Sequence, residues 1–467
     1  MNRRAFSLDA FRGYAILTMI LSGTVASGVL PGWMYHAQVG PRSDFKFDPS
    51  VLGITWVDLV FPFFLFVMGA AFPFSLGAKN EKGTSKYKLI TDCFIRGVKL
   101  TFFAIFIQHM YPWFTSSPQD TNSWLLALFA FVLMFPMFMR IPFEMPRWLH
   151  KVIKLSAYGI GICLMFNISY ANDRPFSLFD SNIIILVLAN MAIFGSLAYL
   201  FTIHNKWARI AVLPFIMAVF LGSTTQGAWV KEVMDFSPVP WMYKFYYLKY
   251  LFIVIPGSIA GEYLKEWLNN KTEDILPPLE KKKVALVLLL SIAIIVFNLY
   301  GLYMRCLLLN LIGTAILLSC LFLLLKGKEG NTMYWRKLFI AGAYLLMLGL
   351  FFEAYQGGIR KDDSTYSYYF VTSGLAFIAM IVFSIVCDVY CWKKLTKPLE
   401  MAGQNPMIAY VAPQLVVMPL LHLVGLTDYL SFLDQNAWLG FLRGIIITTL
   451  ALLIAMLFTK LKWFWRT

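Results

Sequence analysis

Residues 284–303 read VALVLLLSIAIIVFNLYGLY, and residues 306–325 read CLLLNLIGTAILLSCLFLLL. Each run has the length of about 20 apolar residues that a helix needs to cross roughly 30 Å of hydrocarbon. Because lipid offers no water to backbone polar groups, a lone apolar segment that crosses it folds as a helix. This pair of runs therefore predicts two membrane-spanning helices joined by a short turn.

The same pattern extends along the whole chain. Similar runs lie near residues 14–30, 54–77, 90–111, 122–139, 152–168, 182–203, 208–224, 246–264, 338–354, 368–391, 405–424 and 437–459. Some of them are short or interrupted, so we expect about 12 to 14 spans. Only 14% of the residues are charged, whereas soluble domains carry about a quarter. The sequence thus predicts an all-α, polytopic transmembrane bundle, with residues 1–467 as a single domain.

The net charge of +15 is distributed in short clusters between the apolar runs. A nucleic-acid-binding protein would carry a basic stripe, so this pattern argues against a nucleic-acid partner. Lysine and arginine gather in alternate loops, as the positive-inside rule requires when the N-terminus is cytoplasmic. The clearest clusters are Lys79, Lys82, Lys86 and Lys88; Lys281, Lys282 and Lys283; Lys393, Lys394 and Lys397; and Lys460, Lys462 and Arg466. An even number of spans, with both termini cytoplasmic, fits this alternation best.

The six cysteines are scattered and most lie inside apolar runs. Cys387 and Cys391 are one helical turn apart, but no histidine or second cysteine pair accompanies them. Zinc sites need about four such ligands at characteristic spacings. We therefore expect neither a bound metal nor a disulfide framework.

Ionisable residues within or beside the spans are the most informative, because each costs several kcal/mol at the bilayer centre. They are Asp9, Arg12, Asp58, Arg96, Lys99, His109, Glu353 and His422. Three histidines, His36, His109 and His422, map to the outer side. A histidine can accept a proton near neutral pH and deliver it again. Each alone is more often structural, but three together favour one acting as a general base.

Three segments carry a family resemblance. They are SLDAFRG at 7–13, TWVDLVFP at 55–62, and GQNPM at 403–407 followed by Tyr410. Together they resemble the heparan-alpha-glucosaminide N-acetyltransferase family of membrane enzymes and its bacterial relatives. The likeness is concentrated before the third span, and the middle of the chain is similar mainly in hydropathy. The resemblance implies transfer of an acetyl group from cytoplasmic acetyl-CoA to an amino sugar or glycan across the membrane.

The resemblance also implies a site. The histidine expected in the outer loop between the first two motifs is matched by His36. Enzymes of the family with demonstrated activity have an Asn at the end of the first span, where this chain has Ser22 and Gly23. His36 would act as the base or take the acetyl group itself, and Asp58 would orient its ring.

Near the inner face, Arg12, Arg96 and Lys99 are the expected partners of the CoA phosphates. Arg96 and Lys99 have a second interpretation as positive-inside anchors of their helix. Asn405 and Tyr410 are expected near the inner side, with a structural role or a role along the CoA path.

Two other functions stay open: a carrier or flippase for a glycan or small molecule, and a catalytically silent relative that serves as a binding partner. A carrier should show paired charges at the membrane midplane, whereas the charges here lie at span ends. The stretch from Glu353 to Asp363 and the residues Trp33–His36 are rich in aromatic and polar side chains, which suit either sugar rings or a membrane interface. No luminal domain precedes the first motif, which favours a bacterial inner membrane, and both a monomer and a homodimer are compatible.

Overall fold

The computed structural model describes residues 5–139, 144–270, 278–327 and 330–466, with only the backbone of 278 and 279. The protein is 77% helical, and no strand occurs among these residues. The predicted all-α transmembrane bundle is confirmed.

The long helices follow one another with short connections. They are α1 (Phe6–Thr24), α2 (Trp56–Glu81), α3 (Lys86–Met110), α4 (Thr121–Phe138), α5 (Arg147–Asn167), α6 (Ile183–Phe201), α7 (Lys206–Gly222), α8 (Leu251–Asn270), α9 (Pro278–Tyr303), α10 (Leu307–Leu324), α11 (Gly330–Phe351), α12 (Tyr366–Val389), α13 (Lys393–Gln404), α14 (Pro406–Leu423) and α15 (Ala437–Lys460). Each predicted span has a helix at its place in this series, and α13 is an additional polar helix.

Ten helices of the described chain are long and apolar enough to cross a membrane by length and composition alone. The other four helices at predicted spans are α1, α3, α7 and α8. Of these, α7 has 17 residues, and α1, α3 and α8 carry charged side chains such as Arg12, Arg96 and Glu262. For these four helices, the crossing of the membrane stays a prediction from the sequence.

Contacts between helix ends and loops divide the ends of the bundle into two sets. At one end, Gly53 N donates to Ile359 O at 2.8 Å, Lys249 Nζ to Ser364 O at 3.3 Å, and Ala26 N to Gly440 O at 3.3 Å. At the other end, Lys265 pairs with Glu81, and Lys337 with Glu266, each at 2.7 Å. Every one of these pairs joins two segments that the alternation of basic residues puts on the same side. We call the first set the outer end and the second set the inner end.

Helices α2, α8 and α12 form the centre of the bundle. In α12, 83% of the apolar window is buried, whereas in α10 and α15 only 22% is, so the latter two face lipid. Glycines allow the central backbones to touch: a Cβ at Gly69 would lie 2.1 Å from Val254 O, and one at Gly257 2.1 Å from Phe66 O. Close backbone approach through small residues is the usual way in which helices associate in lipid, where no hydrophobic drive exists.

The first and third sequence motifs meet at the inner end. A Cβ at Gly13 would lie 1.8 Å from Leu399 O, and a Cβ at Gly403 would lie 1.9 Å from Asp9 O. Arg12 Nη1 donates to Gly403 O at 3.2 Å across the same contact. Segments almost four hundred residues apart in the chain thus form one packed unit of α1 and α13.

Candidate functional site

The outer loop that follows α1 places His36 between two carboxylates. Its Nε2 lies 3.2 Å from Asp58 Oδ1 and 3.3 Å from Asp362 Oδ2. Its Nδ1 accepts a hydrogen bond from Gln38 N at 3.1 Å. An imidazole nitrogen that accepts an N–H bond carries the lone pair, so this arrangement assigns the hydrogen to Nε2. The ring is 16% exposed and remains reachable from the outer side.

Asp58 is held by the start of α2. Thr55 is the N-cap, and the Asp58 carboxylate accepts from Thr55 N at 2.9 Å in a capping box. The same oxygen accepts from Ala37 N at 3.2 Å, which attaches the backbone beside His36 to the helix end. The other oxygen, Oδ1, is buried and faces His36 without a further hydrogen bond in the described part of the chain. Asp58 therefore has one oxygen for structure and one for the imidazole.

Asp362 arrives on the loop between α11 and α12, fixed by Gln38. The buried Gln38 side chain accepts from Asp362 N at 2.9 Å and donates to Asp362 O. Burial of the Asp362 carboxyl works to raise its pKa, but the hydrogen bond from His36 and the charge of Lys361 outweigh it and hold the pKa below the ordinary value of 3.8. Asp362 is consequently an ionised, electrostatically stabilising group and a weak base.

The polar layer continues beneath this cluster. Tyr368 Oη donates to Asp58 O at 2.8 Å, and Ser364 Oγ lies 2.7 Å from Tyr369 Oη. Glu353, which closes α11, pairs with Arg305 and accepts from Ile359 N at 3.1 Å. These bonds fix the loop that carries Asp362, so the carboxylate is presented by a rigid support.

A cavity of about 560 Å³ opens at the inner end. Five cations line it: Arg12, Lys79, Arg96, Lys99 and Arg466. Among the described residues, Asp92 is the one carboxylate on its wall, and it pairs with Lys79 at 2.7 Å. Like charges gathered in a cavity with low-dielectric walls repel one another and focus a field that attracts anions. The cavity is therefore suited to a molecule with several negative charges.

The deeper part of the cavity is apolar. Its lining runs along α2 from Lys79 to Phe64 and includes Ile16 and Tyr410. At 1.5 Å per residue this stretch of helix is roughly 20 Å long. Phe64 lies six positions after Asp58, about 9 Å along the axis. The deep end of the cavity and the outer cluster are thus separated by under two turns of one helix.

Asn405 supports a wall of the cavity from behind. It is fully buried, donates to Trp463 O at 2.9 Å and accepts from Trp465 N at 3.3 Å. Trp465 and Arg466 line the cavity, and Arg466 N donates to Phe138 O at 2.8 Å. Asn405 is therefore a positioning residue for the C-terminal segment and does not itself line the cavity.

The model of a protein family described as a domain of unknown function, DUF5009, matches residues 4–264, which is more than half of the chain. The chain belongs to the DUF5009 family. No curated protein matches it. The matched segment of this DUF5009 chain contains His36, Asp58 and four of the five cavity cations, whereas Asp362, Asn405 and Arg466 lie beyond it.

The structure brings the sequence-predicted residues together in two groups. His36 and Asp58 meet at the outer end, and Arg12, Arg96 and Lys99 line the inner cavity with Tyr410, whose hydroxyl donates to Asn182 at 3.1 Å. Ser22 donates to Met19 O at 2.8 Å, and nothing lies within 4 Å of a Cβ at Gly23.

The other two outer histidines are elsewhere. His109 is buried among Phe114, Tyr170 and Phe176 and bonds Ile105 O, and His422 stacks on Trp124 at 3.9 Å. Among the described residues, no group of three or more His, Cys, Asp or Glu side chains is arranged to hold a metal ion.

Sequence reasoning missed two members of the outer cluster, Asp362 and Gln38. Asp362 belongs to the polar aromatic stretch that the sequence singles out, but its pairing with His36 spans more than three hundred residues. Lys79 and Arg466 were interpreted only as topological charges. The signal in the sequence was that both residues belong to basic clusters at the inner face. A cation at that face can also line a cavity that opens there.

Proposed function

We propose that this DUF5009 chain is a membrane acyltransferase that takes an acetyl group from acetyl-CoA at the inner end and transfers it to an amino sugar or glycan at the outer end. One observation carries the proposal: a cavity with five cations at its mouth extends along α2 toward the helix end that holds Asp58 and His36. The inner membrane of a bacterium is the proposed location.

The cations suit the phosphates of CoA. Arginine guanidinium groups bind phosphate through paired N–H donors, and lysine acts as a point charge. The apolar remainder of the cavity suits the uncharged arm that carries the thioester, and its length of roughly 20 Å brings that arm toward the outer cluster. The cavity and the outer cluster share α2 as a common wall, so a small opening between Asp58 and Phe64 would join them.

His36 is the proposed general base. As the acceptor's nitrogen or oxygen attacks the thioester carbonyl, its proton moves to Nδ1, the nitrogen with the lone pair, and displaces the Gln38 N–H. Asp58 and Asp362 stabilise the imidazolium that forms, as a buried carboxylate does in hydrolytic triads. The C–S bond breaks, the new acetyl bond forms, and the imidazolium returns the proton to the departing thiolate. The net reaction consumes no other reactant.

The test is transfer of radiolabelled acetyl from acetyl-CoA to glucosamine by purified protein, with CoA binding measured in the same samples. We expect His36→Ala to lower turnover by about 10²-fold or more while the Kd for CoA stays unchanged. His422→Ala is the matched control, because it removes an outer histidine that stacks on Trp124 away from the carboxylates.

Two outcomes would contradict the proposal. If the wild-type protein neither binds CoA nor transfers acetyl, the acyltransferase hypothesis is rejected and a carrier becomes the better hypothesis. Turnover that survives His36→Ala but depends on Tyr410 or Asn182 would place the chemistry at the deep end of the inner cavity.

A further inference from the structure

A second cavity, of about 730 Å³, lies on the lipid-facing side of the bundle between α1, α2, α9 and α12. Its lining is almost wholly apolar, with Leu59, Phe63, Ile295, Val296 and Phe383 as examples. Val296 is 59% exposed, so the cavity is a groove open to the membrane and not a closed core void. We call it the lateral groove.

The lateral groove ends at the outer cluster. Thr55 lines it, and Thr55 N donates to the Asp58 carboxylate at 2.9 Å, while its hydroxyl donates to Tyr35 O at 2.7 Å. The opposite oxygen of that carboxylate lies 3.2 Å from His36 Nε2. Thr55 and Asp58 are therefore the two residues that lie between hydrocarbon in the groove and the imidazole.

The outer rim of the groove carries a cation. The Arg42 guanidinium lies 3.8 Å from the centre of the Tyr303 ring and donates to Tyr303 O at 2.7 Å. Tyr303 and Trp33 both line the groove. Arg42 is exposed, and a guanidinium has five N–H donors, so it can bind a phosphate while it keeps its bond to Tyr303 O. An apolar groove with a cation at its rim matches an anionic amphiphile.

From this continuity we infer that the acceptor of the proposed acetyl transfer is a lipid-linked sugar phosphate. Its hydrocarbon chain lies in the lateral groove, its phosphate contacts Arg42, and its sugar reaches His36. This inference rests on the proposed function for the reaction and on the groove for the substrate class. A soluble glycan would need neither an apolar groove beside the site nor a cation at the outer rim of that groove.

Binding is tested separately from chemistry. Protein in detergent is incubated with phosphatidic acid that carries a diazirine in its acyl chain, irradiated, digested and mapped. We expect labelling of peptides from α2, α9 and α12, and a loss of at least fivefold in Val296→Trp, which fills the groove. Leu309→Trp is the matched control, because Leu309 is equally exposed on α10 and does not line the groove.

The phosphate contact is tested with the same probe on phosphatidylcholine, whose head group has no net charge. We expect wild-type protein to be labelled more strongly by phosphatidic acid, and Arg42→Gln to abolish that preference, whereas Lys46→Gln on the same loop keeps it. Equal labelling of Val296→Trp and Leu309→Trp, or a preference that survives Arg42→Gln, would overturn the inference.

Chemistry is then compared with two acceptors, glucosamine 1-phosphate alone and the same compound esterified to a C20 alkyl chain. We expect the alkylated acceptor to have a KM at least tenfold lower, and Val296→Trp to remove that advantage without changing turnover of the free acceptor. Transfer to both acceptors with equal KM would contradict the inference of a lipid-linked acceptor but would still agree with the proposed acyltransferase activity. Lipid labelling without any acetyl transfer would contradict the proposed acyltransferase activity, and the inferred acceptor would be rejected with it.

Discussion

The outer cluster and the inner cavity are built in opposite ways. At the outer end, short side chains are held by hydrogen bonds to the backbone. Asp58 accepts from two main-chain amides, and the Gln38 side chain bonds the main-chain N–H and C=O of Asp362. At the inner end, long cationic side chains surround about 560 Å³ of open space. A proton transfer needs geometry fixed to a few tenths of an ångström, whereas binding a polyanion needs charge that can adjust. Under the proposed function, the outer cluster would carry out the proton transfer and the inner cavity would bind the polyanion.

The largest expected effect concerns the two carboxylates of the outer cluster. Asn at position 58 can still accept from Thr55 N and Ala37 N, but it no longer stabilises an imidazolium. We therefore expect Asp58→Asn to lower kcat by on the order of 10²-fold or more. Asp362→Asn should lower kcat by about tenfold, because Asp362 is partly exposed and solvent screens it. Single-turnover acetyl transfer at saturating acetyl-CoA measures both.

The contrast between the outer cluster and the inner cavity would not hold if Asp58→Asn and Asp362→Asn lowered kcat by the same factor, or if Asp58→Asn weakened CoA binding. Either result would mean that the outer cluster supports the fold of α2 and does not take part in proton transfer.

The next effect in size belongs to the inner cavity. Hydrogen bonds to charged groups contribute about 1.5–3 kcal/mol, so Arg12→Gln or Arg96→Gln should raise the Kd for CoA about tenfold or more. The value of kcat at saturation should change little, since neither residue lies near His36. Lys88→Gln, exposed on the same helix as Arg96 and outside the cavity, is the control. Isothermal titration with CoA at two salt concentrations checks the charge dependence.

The fold was largely predictable from the sequence, because hydrocarbon thickness and the positive-inside rule act on composition alone. The inner end can be identified without any knowledge of packing from basic residues such as Lys265, Lys283 and Arg466. α7 and α8 were predicted as well, although charged residues such as Arg209 and Glu262 lie in them. Their ion pair of 2.8 Å joins the buried Arg209 to the partly buried Glu262 and so compensates the arginine charge inside the protein, which hydropathy does not register.

The candidate site was predictable only where it is local. His36 and Asp58 are near in the chain, with Asp58 in the second motif and His36 in the loop before it, so their pairing could be expected. Asp362 reaches the same imidazole because α12 packs against α2 and because Gln38 fixes the loop before α12. Asn405 is a second case: its motif position leaves a structural role and a role along the CoA path open, and its bonds to Trp463 and Trp465 make it a support. Long-range packing decides both cases.

A smaller effect tests whether the inner wall depends on the contact between α1 and α13. A Cβ at Gly403 would lie 1.9 Å from Asp9 O, which is backbone and cannot move aside cheaply. We expect Gly403→Ala to lower the free energy of unfolding by about 1–3 kcal/mol and to weaken CoA binding through Arg12. Gly23→Ala, at a helical site with open space, should be neutral or slightly stabilising. Thermal unfolding in detergent compares the two, and equal melting temperatures would contradict the packing argument.

The smallest expected effect is the pH dependence of the outer cluster. The pKa of Asp362 is below 3.8 in the folded protein, so the ionised form stabilises the fold above that pH, and the contribution disappears as pH falls through the lowered pKa. We therefore expect Asp362→Asn to melt slightly below wild type between pH 5 and 7, roughly the range where Asp is ionised in either state. The two melting temperatures should converge as the pH falls below 3.8. The carboxylate is 42% exposed, so solvent screening keeps the difference small. Asp363→Asn, next in the chain and more exposed, is the control, and a gap between wild type and Asp362→Asn that persists in acid would show that the carboxylate acts through packing rather than through its charge beside His36.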